Sequence, residues 1–224
     1  MLLSFILSSC KSRKYTWNTE EEYYKLALWS DHVRVFKKVK MDPHCAVVFI
    51  GDSMTEGYDL TRSYPDYQVV NQGISGDFTS GVLRRLDIAF KLKPKAICLM
   101  IGINDILKKV PMNRILDQYR RILQKIHDEM PGVAVFVVSN LPTTNMGGSP
   151  ELNGLVVNQV KELNAFLIQQ CAAQGFTFVN LYPHFSDQDT LIKEYTYDGL
   201  HLNEFGYKVW TSQLLPLLQS SLKP

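Results

Sequence analysis

With 224 residues, 46% of them apolar and 21% charged, the chain has the composition of an ordinary soluble globular protein and the length to bury a sizeable core. A formal net charge of +2 leaves no basic surplus of the kind that nucleic-acid binding needs. The four cysteines, Cys10, Cys45, Cys98 and Cys171, form no C-x-x-C pair and no Cys/His spacing suited to zinc, so neither a disulfide framework nor a metal site is expected.

The chain opens "MLLSFILSSCKSRKY", whose apolar start is far shorter than the ~20 residues a membrane span needs. With Leu7-Ser8-Ser9-Cys10 it resembles a bacterial lipoprotein lipobox, although it lacks the positive charge with which a signal peptide begins. That resemblance implies a lipid anchor on Cys10 and a location in the cell envelope; without the anchor the expectation is the cytoplasm. Residues 1–16 then form a tail, and residues 17–224 a single domain. Residues 17–42 form a helical extension to it: Thr19 and Glu22 have the spacing of a capping box, and "EEYYKLALWSDHVRVFKK" continues with helical character.

Short runs rich in β-branched residues follow: "CAVVFIGDS", "YQVVNQGIS", "KAICLMIGIND", "VAVFVVSNLP" and "FTFVNLYPH". They lack polar alternation, as strands buried on both faces of a parallel sheet do. Helical patterns separate them. "SGVLRRLDIAFKLK" precedes the third run, and "NRILDQYRRILQKIHDEM" precedes the fourth and stops at Pro131-Gly132. "LNGLVVNQVKELNAFLIQQCAAQG" precedes the fifth and ends on Gly175, and "NEFGYKVWTSQLLPLLQSSL" closes the chain. Alternating strands and helices predict an α/β fold with right-handed crossovers and a covered parallel sheet. Such sheets bind ligands at the carboxyl ends of their strands. That rule singles out Ser53, Gly73, Asn104, the loop after Asn140 and whatever follows Pro183.

Ser53, after the first run, is either the cap of the next helix or a nucleophile held at the sheet edge. Gly73 is either a turn glycine or a backbone N–H offered to an oxyanion; Ser75, further past the same strand, is a rival nucleophile. Asn104 could cap the next segment or aim its amide at the same oxyanion, and Asp105 reads as a cap or loop acceptor. In "YTYDGLHLNEFGY", Asp198 and His201 are three apart. A turn there brings the carboxylate to the imidazole Nδ1–H and leaves Nε2 to take a proton from a serine; the same spacing also suits a plain surface hydrogen bond. Asn203 is placed to cap the final helix. His184, after the fifth run, competes with His201, whereas His127 sits on an amphipathic helix and His32 and His44 lie away from the strand ends.

These residues form an ordered set, and on them the sequence resembles the SGNH hydrolases, also called the GDSL family. "GDSMTEG" with Ser53, "NQGISGD" with Gly73, "GIND" with Asn104 and "DGLHLN" with Asp198 and His201 correspond to its blocks. Met54 stands where the GDSL name has Leu, at an apolar packing position. The wording is most similar to the branch of platelet-activating-factor acetylhydrolase subunits and bacterial acylhydrolases. The resemblance implies a three-layer α/β/α sandwich with a flavodoxin-like parallel sheet of about five strands. It also implies a serine esterase with a Ser53–His201–Asp198 triad, an oxyanion hole of Ser53, Gly73 and Asn104, and no cofactor or metal. The branch favours short acyl groups, above all acetyl, and an envelope location would favour O-acetylated carbohydrates. The alternatives are a lysophospholipase or thioesterase-like acylhydrolase, or a catalytically silent carbohydrate-binding protein. No G-x-S-x-G elbow, P-loop, H-E-x-x-H or dinucleotide fingerprint occurs. The loop "LPTTNMGGSPELNG", residues 141–154, is expected to form a rim on the leaving-group side.

Overall fold

Successive residues of a strand point to opposite faces of a sheet, and in this protein both faces find apolar partners. The computed structural model describes residues 20–40, 46–144 and 149–222. The strands β1 (Ala46–Gly51), β2 (Gln68–Gly73), β3 (Ala96–Met100), β4 (Ala134–Val138) and β5 (Thr177–Val179) form one sheet in the order β2-β1-β3-β4-β5. All its pairings are parallel, so the order is that of a flavodoxin-like sheet.

Val48 and Ile50 of β1, Ile97 and Leu99 of β3, and Val135 and Val137 of β4 share one core. Against it pack α5 (Thr79–Phe90), α7 (Met112–Glu129) and α8 (Pro150–Gln174). The intervening residues Val47, Phe49, Cys98, Met100, Phe136 and Val138 face a second core, closed by Trp210, Leu214 and Leu218 of α10 (Glu204–Ser221). Two buried faces explain why the strand sequences show no polar alternation. Ile115, Tyr119, Ile122, Leu123 and Ile126 are fully buried on α7, the spacing of a single helical face.

The chain stops these helices as its sequence predicts. Gly175 takes the left-handed conformation (φ 71°) at the end of α8, and Asn203 caps α10 by accepting from the Phe205 and Gly206 N–H groups. The described part of the extension before the sheet holds two helices, α1 (Glu20–Tyr24) and α2 (Ala27–Phe36), separated where Leu26 turns extended (φ −66°, ψ 137°). Short pieces that no periodicity announces complete the chain. Among the described residues these are α3 (Ser53–Glu56), α4 (Leu60–Ser63), α6 (Ile103–Leu107), α9 (Tyr182–Phe185), the antiparallel pair β6 (Ser186–Asp187) and β7 (Thr190–Leu191), and a single 3-10 turn (Lys193–Tyr195). The tail with Cys10, and also Thr19, His44, Cys45 and residues 145–148 of the rim loop, lie outside the described residues.

Candidate active site

Strand β1 ends at Gly51, where the chain must pass through a tight space. A Cβ at Gly51 would lie 2.3 Å from the Met100 carbonyl oxygen and 2.2 Å from Thr55 Oγ1, so only glycine lets α3 fold back onto β1 and β3. Asp52, not Ser53, caps α3: its Oδ1 accepts from the Met54 N–H at 3.0 Å. Ser53 is thus released from the capping role, and its hydroxyl faces outward from the sheet edge.

His201 meets it there. His201 Nε2 lies 3.0 Å from Ser53 Oγ, and His201 Nδ1 lies 2.6 Å from Asp198 Oδ2. The other carboxylate oxygen of Asp198 accepts from the His201 and Leu200 N–H groups, at 2.7 and 2.9 Å. Partial burial pushes the Asp198 carboxyl up, but the imidazole and these N–H donors outweigh it and hold the group below its ordinary range. An ionised Asp198 keeps the Nδ1–H of His201 pointed at itself, which leaves Nε2 as the acceptor toward Ser53. The rivals are placed elsewhere. The Ser75 hydroxyl donates to Glu56 Oε2, while His184 and His127 are exposed on α9 and α7.

Asn104 Nδ2 donates one hydrogen to the Asp77 carbonyl at 3.0 Å, which holds the amide beside the turn that follows β2 and leaves its second N–H to spare. Asp105 acts as the loop acceptor its position predicts, taking the Thr79 N–H at 3.0 Å and the Thr79 hydroxyl at 2.6 Å. Gly73 is engaged otherwise than expected. It is buried at the end of β2, and its N–H already donates to Asn71 Oδ1 at 2.8 Å. A Cβ there would strike the Glu56 backbone at 2.1 Å, so glycine is required for packing against α3. The amide that the turn does present belongs to Gly76. It is partly exposed, takes φ +81° in the turn closed by Asp77 N–H to Ile74 O, and has no described acceptor for its N–H. The same "NQGISGD" stretch contains both glycines; only the Asn71 side chain decides between them.

A family model for GDSL-like lipases and acylhydrolases matches residues 49–209. The chain belongs to that family. It is a carboxylic ester hydrolase. Among solved structures it is similar to a Streptococcus pneumonia protein provisionally assigned as a platelet activating factor. That match has 28% identity and a TM-score of 0.72, and covers 97% of this chain and 96% of that one. A GDSL-like lipase from Bacteroides thetaiotaomicron has 20% identity and a TM-score of 0.73, covering 86% and 98% of the two chains. An acetyl xylan esterase has 20% identity and a TM-score of 0.63, covering 77% and 99%. The latter two show a shared fold. No curated protein sequence is significantly similar.

This GDSL-like hydrolase surrounds Ser53 with groups that strand-end logic alone does not find. Asn71 Nδ2 donates to the Thr55 and Tyr58 carbonyls at 2.6 and 3.2 Å, tying β2 to α3. Arg85, 1% exposed, donates from Nε to Asp77 Oδ2, from Nη1 to the Gln72 carbonyl and from Nη2 to the Gly51 carbonyl, at 2.8–2.9 Å. One guanidinium therefore fixes the ends of β1 and β2 and the turn between β2 and α5. On its solvent side, His201 stacks on Tyr197, with ring centroids 6.0 Å apart and planes at 14°. A cavity of about 750 Å³ lies beside the triad rather than on it, lined in part by Asp59, Arg62, Tyr197, Asn203, Glu204 and Lys208. Among the described residues, no group of three or more His, Cys, Asp or Glu side chains could hold a metal ion.

Proposed function

We propose that this ester hydrolase acts on short-chain acyl esters, acetyl above all, with Ser53 as nucleophile, His201 as general base and acid, and Asp198 orienting His201. The unbroken hydrogen-bonded line from Asp198 through His201 to Ser53, with contacts of 2.6 and 3.0 Å, carries this reading. Ser53 Oγ attacks the ester carbonyl while its proton moves to His201 Nε2. The carbonyl oxygen becomes an oxyanion, and the Ser53 N–H, the spare Asn104 Nδ2–H and the Gly76 N–H, in place of Gly73, donate to it. As the tetrahedral intermediate collapses, His201 returns the proton to the departing alcohol and leaves an acyl-Ser53 ester. Water, deprotonated by His201, then attacks that ester; the acid departs and Ser53 recovers its proton.

On the leaving-group side we favour an O-acetylated carbohydrate. Arg62, Asn203, Glu204 and Lys208, in the lining of the cavity beside Tyr197, offer hydrogen bonds to a hydroxyl-rich alcohol. The fold-level likeness to an acetyl xylan esterase is in keeping with this choice. An activity panel crossing acyl length with leaving group tests it. Acetyl esters should exceed octanoyl esters by roughly tenfold or more in kcat/KM, within the discrimination that a few methylenes supply. Comparable rates on acetyl and long-chain esters would favour a lysophospholipase or thioesterase-like acylhydrolase instead. The reading also places the chain in the cell envelope through a lipid on Cys10, on the strength of Leu7-Ser8-Ser9-Cys10. Metabolic incorporation of a palmitate analogue into the wild-type chain, lost in Cys10→Ala, is the expected result.

A further inference from the structure

The two helices before β1 contribute nothing to the triad, yet their side chains converge on the turn after β2. The Tyr23 hydroxyl donates to the Ser75 carbonyl at 2.9 Å. Trp29 Nε1 donates to Asp77 Oδ1 at 3.3 Å, and the Tyr24 hydroxyl bonds to Ser80 Oγ at 2.5 Å. Phe36 packs on fully buried Ile74. His32 Nε2 lies 2.7 Å from Glu56 Oε1, and the second oxygen of that carboxylate accepts from both the N–H (2.7 Å) and the hydroxyl of Ser75. Of these bonds, the one from Tyr23 falls on the Ser75–Gly76 peptide itself, and the two accepted by Glu56 fall on Ser75 just before it.

That peptide is the one whose orientation matters. In a trans peptide the C=O and the N–H point in opposite directions. Anchoring the Ser75 oxygen with Tyr23 therefore aims the Gly76 N–H the other way, and anchoring the Ser75 hydroxyl and the N–H of the preceding peptide on Glu56 fixes the residue from which this peptide extends. We propose that Tyr23 and the His32–Glu56 pair are positioning residues for the oxyanion site. The N-terminal helices thereby become part of the catalytic apparatus rather than an appendage. The proposal rests on the reading that the ester oxyanion forms at Ser53 and Gly76.

His32 adds a protonation requirement to the clamp. Both its ring nitrogens face acceptors, Glu56 Oε1 and, at 2.8 Å, the Leu28 carbonyl oxygen. Neither acceptor can donate, so only the imidazolium satisfies both. The groups facing the ring are Glu56 from α3, Arg85 from α5, the Leu28 carbonyl and the Phe36 ring, with Tyr23 beyond Glu56. The bond to Glu56 raises the His32 pKa, against burial and the Arg85 charge. Losing the proton removes one of the two bonds and loosens the carboxylate that holds Ser75.

The test is steady-state kinetics on a soluble acetyl ester with Tyr23→Phe, Glu56→Gln and His32→Gln, alongside thermal melts. Weakening one oxyanion donor should lower kcat by roughly tenfold to a hundredfold, short of the loss for removing a donor outright, with KM unchanged. The wild-type kcat should also fall on the alkaline side as His32 loses its proton, and that limb should vanish in His32→Gln. Tyr23→Phe removes one hydroxyl and keeps the ring, so it reports on the clamp even where Glu56→Gln folds poorly. Variants that melt lower but keep the wild-type kcat well below their melting temperature would overturn the proposal, as would an alkaline limb unchanged in His32→Gln. Activity surviving in Ser53→Ala would instead overturn the reading of the nucleophile on which the proposal stands.

Discussion

His201 Nε2 stands 3.0 Å from Ser53 Oγ, although the two residues are 148 positions apart in sequence. Ser53 is carried to this point by the end of β1, and His201 by the turn before α10 that Asp198 ties together. The Asp198 carboxylate makes three bonds inside that turn, to the His201 ring and to two backbone N–H groups. Asp198→Ala removes the turn's brace and the tautomer control together. It should lower kcat by about 10⁴, with a smaller change in KM. Steady-state rates on an activated acetate ester check this.

In the proposed mechanism Asn104 differs in that it meets the reaction only through the charge that develops. Its amide is pinned by the Asp77 carbonyl, so the side chain is already oriented before substrate arrives. Asn104→Ala should therefore cost about 10²–10³ in kcat and leave KM nearly unchanged, as removal of one preorganised oxyanion donor does. An equal effect on KM and none on kcat would assign Asn104 to ground-state binding.

Asp52 gives a prediction about stability rather than rate. Burial, and then the charge of Asp77, push its carboxyl up to about 7, well above the ordinary carboxylate value. The folded state therefore holds a proton that the unfolded chain releases near pH 4. The stabilisation is complete below that pH and is lost as pH rises through about 7, by about 1 kcal/mol per pH unit. Asp52→Asn keeps an acceptor for the Met54 N–H but cannot ionise. The variant should gain stability relative to wild type between pH 4 and 7, with the difference level above that. Denaturant midpoints across this range check it, and a constant offset would contradict a buried protonated Asp52.

Arg85 joins the backbone carbonyls of Gly51 and Gln72 to the Asp77 carboxylate at the floor of the site, and Asp77 is fully buried. Removing one member of a buried pair leaves the other charge without compensation. Arg85→Met should cost about 3–5 kcal/mol of folding stability, measured by chemical denaturation. A loss below about 1 kcal/mol would mean that water reaches Asp77 in the variant.

The contrast between Arg85 and Ser53 shows what local sequence can place in this protein and what it cannot. Ser53 is legible because a double-sided apolar strand runs straight into it, and Asp198 with His201 because they are close in sequence. Gly175 and Asn203 are legible because local rules govern helix ends. Arg85 lies in "SGVLRRLDIAF", where a charged residue reads as the solvated side of a helix; its burial is decided by the carbonyls of β1 and β2, which local sequence does not encode. Gly73 ends β2 and Gly76 lies in the turn just after it, and three residues of sequence do not tell which amide is exposed until the Asn71 side chain accepts from Gly73. His32 lies outside every motif, and its tie to Glu56 exists only once α2 has packed against Ile74 and Ile88. The β6–β7 pair is too short to show any period.

Ser53→Ala is the most direct test of the mechanism. A fluorophosphonate probe should label the wild-type protein once per chain at Ser53 and leave Ser53→Ala unlabelled, while hydrolysis of an acetate ester by the variant falls by on the order of 10⁶ in kcat, or to background. Full esterase activity in a correctly folded, pure Ser53→Ala protein would contradict it.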